Sequence, residues 1–157
     1  MKTITVTKGT ILQRKGDINT KVYYVEKGLL RSYTIDEKGK EHIYMFGPES
    51  WLVTDNCDSN DPCQLFIDAV EDTTINISSK QEVLKQAPDL EPILRRLNKM
   101  QNRIVMLMSS SAKERYEHFI ETYPSITQRV PLKMVASYLG ITPEALSRVR
   151  NELSKKK

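Results

Sequence analysis

The hydrophobic period of this chain changes once, near residue 79, and that change restricts the fold more than any other feature. Before it, apolar and polar residues alternate in short runs broken by turns; after it, apolar residues recur every three or four positions. Period two belongs to strands with one buried face, and the longer period to amphipathic helices. A chain that keeps the two apart is α+β, with a β domain followed by helices.

The first part supplies the strands. "TITVTKGTILQRKGD" alternates before Gly9 and again before Gly16. "KVYYVEKGLLRSYTIDEKGKEHIYMF" gives three β-branched and aromatic runs with turns at "EKG" and "DEKGK", and "QLFIDAVEDTTINIS" gives two more. Strands this short at this spacing predict a small antiparallel barrel or jelly roll.

Ser79-x-x-Glu82 then has the capping-box pattern, and the helix it opens is expected to stop before Pro88. From Pro92 onward Ile93, Leu97, Met100, Ile104, Leu107 and Ser111 recur at alternating threes and fours, with Leu94 and Met108 widening the stripe. No proline intervenes before Pro124, so the spacing predicts one helix of about 30 residues, ~45 Å long. Its length and a/d-like seam predict pairing with a second copy of the chain rather than packing on its own barrel.

The stretch "VPLKMVASYLGITPEALSRVRNEL" is the most specific. Pro131 can open a helix, where its missing N–H costs nothing, and Leu132, Val135, Ala136 and Leu139 form an inward stripe. Gly140 stands where a left-handed residue ends that helix; Ile141 plugs the corner, Thr142 can cap the next helix and Pro143 takes its first position. In the second helix Leu146, Val149 and Leu153 point inward, while Glu144, Ser147, Arg148 and Asn151 share the opposite face. This is the order of a helix-turn-helix with a polar reading face. Arginine can bond guanine O6 and N7 together, and glutamate can accept from cytosine N4. Lys133 and the amides at the start of the second helix, beside Thr142 and Pro143, are placed to meet phosphates.

Charge agrees with that reading. Residues 1–90 carry 11 Lys and Arg against 14 Asp and Glu, a net of −3; residues 91–157 carry 13 against 6, a net of +7. A polyanionic partner is therefore expected for the second part alone.

Several classes are disfavoured. No apolar run reaches the ~20 residues of a membrane span, and "MKTITVTKGT" lacks the apolar core of a secretory signal, so a cytoplasmic protein without membrane association is expected. Two histidines, His42 and His118, and two cysteines, Cys57 and Cys63, build neither a metal site nor a disulfide framework, and no nucleophile–base constellation is visible. The chain is expected to be no enzyme and to carry no cofactor. The cysteines read as free thiols in or near a loop, with nothing nearby to lower their pKa.

Taken together, "KGTILQRKGD", "YYVEKGLLRSY", "DEKGKEHIYMFGPES" and "VPLKMVASYLGITPEALSRVRNEL" resemble the Crp/Fnr family of bacterial transcription regulators over nearly the whole chain. The resemblance implies a cyclic-nucleotide-binding-like β-roll over residues 1–87, a dimerisation helix over 88–122 and a DNA-binding helix-turn-helix over 123–157. The family's recognition-helix pattern of Glu, two residues, then Ser-Arg falls on Glu144, Ser147 and Arg148. The implied partners are double-stranded DNA carrying an inverted repeat, a second copy of the chain, RNA polymerase and a small-molecule effector. The lead before the first Lys-Gly turn is short for the family, so the sensor's leading helix is expected to be missing; little follows the recognition helix, so no C-terminal wing is expected.

The family's nucleotide-binding members hold the ribose with a Gly-Glu pair and the cyclic phosphate with an arginine followed by Ser or Thr. Here Gly47 precedes Pro48, Glu49 precedes Ser50, and no arginine occurs between Arg31 and Arg95. Gln64 or Cys63 stands near the arginine's position, and Asp55, Asp58 and Asp61 add negative charge. The corresponding pocket, assigned to Glu49, Ser50, Trp51 and Gln64, is expected not to take cyclic AMP in the usual way. "NCDSND" lacks the glycine and closing glutamate of a calcium hand. The alternative function is a small-molecule receptor module with weak or no DNA contact.

Overall fold

The computed structural model describes residues 2–18, 20–57, 60–86 and 91–155, with side chains left out at 84, 86 and 91–96. Pro88, Asp58, Lys156, Lys157 and the side chains of Pro92, Ile93 and Leu94 therefore lie outside the described residues. The chain divides into two compact units, Met1–Pro88 and Asp89–Lys157.

In the first unit the described strands are β1 (Lys2–Val6), β2 (Ile11–Gln13), β3 (Lys21–Lys27), β4 (Leu30–Ile35), β5 (Glu41–Gly47), β6 (Leu52–Val53), β7 (Phe66–Ala69) and β8 (Thr73–Ser79). They form two four-stranded sheets ordered β1-β8-β3-β6 and β2-β7-β4-β5, with antiparallel neighbours throughout. That order is a jelly roll, in which consecutive strands alternate between sheets until the β4–β5 hairpin. Alternation along each strand explains the core. Tyr23, Val25, Leu30, Val53, Ile67, Ala69 and Ile75 are buried as one cluster, and Ile4, Val6, Leu12, Met45 and Ile77 pack against it. Thr3 and Thr5 on β1 instead pair with Asn76 and Thr74 on β8, at exposed positions. Full burial of each large aliphatic side chain contributes about 1.5–3 kcal/mol.

One turn depends on glycine. Gly28 joins β3 to β4 at φ +100°, and a Cβ there would lie 2.6 Å from Asp72 O and 2.7 Å from Thr73 Cα. An ion pair also braces the second sheet. Arg31 on β4 donates from Nε and Nη2 to the two carboxylate oxygens of Asp68 on β7, at 2.8 and 2.9 Å, and from Nη1 to Glu41 at 2.6 Å. Burial opposes the charge, but the bonds to Asp68 and Glu41 outweigh it and raise the guanidinium's pKa. The unit closes with α1 (Lys80–Gln86), opened by the reciprocal bonds of Ser79 and Glu82.

The second unit departs from the expected long helix. Two helices, α2 (Glu91–Ser109) and α3 (Ala112–Thr122), occupy the segment, with a break at Ser110 and Ser111. The cause is local. Ser111 is extended at φ −66°, ψ 163°; its hydroxyl accepts from Glu114 N while the Glu114 carboxylate accepts from Ser111 N. This second capping box starts a new helix inside a continuous apolar stripe.

After a short 3-10 turn at Ile126–Gln128 come α4 (Leu132–Leu139) and α5 (Pro143–Ser154). Phe119, Tyr123 and Tyr138 pack ring to ring with centroids 5.3–5.6 Å apart, and Val135, Ala136, Leu139, Leu146 and Val149 complete the core.

Candidate nucleic-acid interface

The turn between α4 and α5 is built from single residues. Gly140 ends α4 in the left-handed region at φ 64°, ψ 32°, and its N–H reaches back to Ser137 O at 3.2 Å. Ile141 N donates to Ala136 O at 3.1 Å, which closes the corner. Thr142 is extended, and its hydroxyl accepts from Ala145 N at 3.2 Å. Such a cap contributes about 1 kcal/mol. Pro143 sits in the first turn, where no N–H is required.

These devices fix the direction of α5. Leu146 and Val149 are buried, and Leu153 is half-buried. Thr142, Pro143, Glu144, Ser147, Arg148 and Asn151 are all exposed, so the structure brings the expected reading residues together on one solvent-facing side. Lys133, in the first turn of α4, is exposed as well. Glu144 lies in the first turn of α5; its own backbone amide and then the Thr142 hydroxyl hold its carboxyl below the usual carboxylate range. The face thus offers an ionised acceptor, a hydroxyl, a guanidinium and an amide within three turns.

The basic count overstates the free positive surface of this unit. Arg103 and Arg115 are turned inward onto main-chain carbonyls: Arg103 onto Tyr138, and Arg115 onto Leu107, Ser110 and Leu139. No residue pattern announces this, because the partners lie up to 35 positions away.

On α2, Leu97 (55%), Ile104 (57%), Val105 (53%) and Met108 (81%) are exposed, whereas Met106 is buried and Met100 and Leu107 are half-buried. Leu107, expected in an outward seam, instead reaches to 3.7 Å from the position a Gly140 Cβ would take. The outward stripe therefore runs through Leu97, Ile104 and Met108.

The expected ligand-pocket residues are spent on the β-roll itself. The Glu49 carboxylate accepts from Gly28 N at 3.1 Å. Ser50 takes a left-handed φ of 68°, its N–H donates to Val25 O at 2.8 Å, and Trp51 O accepts from Val25 N at 3.0 Å. Gln64 is exposed, with Nε2 3.4 Å from Pro62 O. Asp55 corrects the picture of an openly acidic loop. It is buried, and its carboxylate accepts from the amides of Cys57, Gln64 and Leu65 at 3.2, 2.9 and 2.8 Å. A depression of about 450 Å³ lies elsewhere, walled by Leu12, Gln13, Asp17, Thr20, Lys21 and Tyr23 among others; none of the four expected residues lines it.

Both cysteines are free thiols, as expected. Lys80 Nζ comes within 3.3 Å of Cys57 Sγ and also donates to the Cys57 carbonyl, although 23 residues separate the two in sequence. Cys63 is buried and donates to Arg14 O at 2.8 Å; burial pushes its pKa up. Among the described residues no group of His, Cys, Asp and Glu could hold a metal ion, and no helix is long and apolar enough to cross a membrane.

The architecture is a jelly roll followed by a capped helix-turn-helix, and comparison with known proteins narrows its class. Residues 3–87 match the cyclic nucleotide-binding domain. The nitrogen fixation regulation protein FixK of Rhizobium meliloti is 26% identical over 156 residues, which cover 94% of this chain and 73% of the relative. The fumarate and nitrate reduction regulatory protein of Yersinia pestis is 29% identical over 170 residues, covering 96% and 68%. In fold the chain is similar to FixK2 from Bradyrhizobium japonicum, with a TM-score of 0.79 at 20% identity over 99% of this chain and 85% of that one. The chain belongs to the cyclic nucleotide-binding domain family and, within it, to the Crp/Fnr transcription regulators, which are not enzymes.

Proposed function

We propose that this regulator binds double-stranded DNA sequence-specifically, as a homodimer, with α5 in the major groove. The observation that carries the reading is the two-sided character of α5. Leu146 and Val149 anchor it while Glu144, Ser147, Arg148 and Asn151 stand exposed in one row behind a capped N-terminus. Arg148 suits a guanine edge and Glu144 a cytosine amino group, whereas Lys133, Thr142 and Pro143 stand where phosphates pass. Dimer symmetry through the apolar stripe of α2 sets two such helices about 34 Å apart, and hence half-sites one helical turn apart in an inverted repeat. The site of action is the cytoplasm, where the DNA is, and RNA polymerase is the further partner a regulator of this type addresses.

The sensor is read as one that does not take cyclic AMP in the family's usual manner. Glu49 is bound to Gly28 N, and no arginine is available between Arg31 and Arg95. The depression beside Leu12 and Tyr23 supports a second reading, a small-molecule receptor with little DNA contact. Selection from a random pool of duplexes separates the two. Enrichment of an inverted repeat supports the DNA-reading account; a pool left unenriched at low salt refutes it and favours the receptor.

A further inference from the structure

Two guanidinium groups grip the C-terminal end of α4 from neighbouring helices of the same unit. Arg103, on α2, donates from Nη2 to Tyr138 O at 3.2 Å and lies over the Tyr138 ring, 4.0 Å from its centroid. Arg115, on α3, uses three nitrogens on three carbonyls. Nε donates to Ser110 O at 3.0 Å, Nη1 to Leu139 O at 3.1 Å and Nη2 to Leu107 O at 2.7 Å. Tyr138 and Leu139 are the last two residues of α4; Leu107 is in the last turn of α2, and Ser110 is in the break after it.

The final carbonyls of a helix have no internal partners and carry the negative end of its dipole. Arg115 closes the ends of two helices with one planar cation. A lysine offers a single nitrogen and cannot span three carbonyls that diverge in this way. Gly140 sits directly on the cluster, since a Cβ there would stand 3.7 Å from both Arg115 Nη1 and Leu107 Cδ2. The apolar contacts among these helices are non-directional, whereas hydrogen bonds of this geometry fix both distance and angle.

We propose that Arg115, assisted by Arg103, is the positioning residue that fixes the direction of α5 relative to α2, and thereby the half-site spacing a dimer accepts. The inference rests on the DNA-reading role proposed for α5. Neither arginine touches DNA in it; both act through the end of α4.

The test uses the full chain with Arg115→Gln and Arg115→Lys, each first checked for folding by circular dichroism. Without DNA, amide residual dipolar couplings of α2 and α5 fit one alignment frame in the parent protein. Arg115→Gln is expected to need two, and Arg115→Lys to fall between. With DNA, affinity is measured on duplexes whose half-sites are moved apart one base pair at a time. The parent is expected to lose about tenfold for a displacement of one base pair, and Arg115→Gln only about twofold, with affinity for a single half-site unchanged. A variant that keeps one frame and the sharp spacing preference overturns the proposal. So does equal loss on single and paired half-sites, which would make Arg115 a phosphate contact. If Arg115→Gln does not fold, Arg115→Lys decides by the same two criteria. If the parent binds no DNA, the function proposed above fails, and the couplings alone decide whether the clamp orients α5.

Discussion

At the scale of single residues, the same chemistry serves opposite ends in the two units. Carboxylates in the β-roll are turned onto main-chain amides: Glu49 onto Gly28, and Asp55 onto Cys57, Gln64 and Leu65. Bonds of this charge-assisted kind contribute about 1.5–3 kcal/mol each. These amides thus already hold an internal anion. No arginine between Arg31 and Arg95 offers a cyclic phosphate a bidentate fork. Calorimetry with millimolar cyclic AMP is therefore expected to give no saturable heat. A micromolar dissociation constant would mean that other groups have taken over the arginine's role.

At the scale of elements, short-range chemistry decides where helices start and stop, while the apolar stripe decides which side is buried. The helix-turn-helix was legible in the sequence because Pro131, Gly140, Thr142 and Pro143 each act within four residues. The break before α3 was not, because the stripe from Leu97 to Leu107 continues smoothly toward Ser111. Yet Ser111-x-x-Glu114 repeats the pattern of Ser79-x-x-Glu82, and the same rule applied twice finds both helix starts. On α2 the part of the stripe formed by Leu97, Ile104 and Met108 is exposed in the single chain. Leu97→Glu combined with Ile104→Glu brings charge to the centre of the proposed dimer contact without disturbing a buried residue. Analytical ultracentrifugation should find the parent a dimer at micromolar concentration and the double variant a folded monomer. A monomeric parent, or a variant that still dimerises, would put the contact elsewhere.

At the scale of the whole molecule, two units with separate chemistry share one chain. The first is an antiparallel jelly roll and the second is helical, and charge follows the same division: residues 1–90 carry a net −3 and residues 91–157 a net +7. The fold class and the exposed polar face of α5 were legible from periodicity and local caps. What lay beyond the sequence is contact between distant positions: Lys80 with Cys57, Asp55 with Leu65, Arg115 with Leu139. Those contacts redirect charges that composition counts as free, so the basic surface left for a polyanion is smaller than +7 suggests. In the proposed reading its centre of specificity is Arg148, with Lys133 as a neighbour that reads no base. The most direct measurement titrates the parent, Arg148→Ala and Lys133→Ala against the selected inverted repeat and against scrambled duplex, at two salt concentrations. Arg148→Ala is predicted to cost about 1–3 kcal/mol on the selected repeat and to relax the preference at one guanine per half-site. Lys133→Ala is predicted to weaken both duplexes alike and to flatten the salt dependence by about one unit per subunit. Full affinity and unchanged base preference in Arg148→Ala would contradict the account, because α5 would then not be the element that reads DNA.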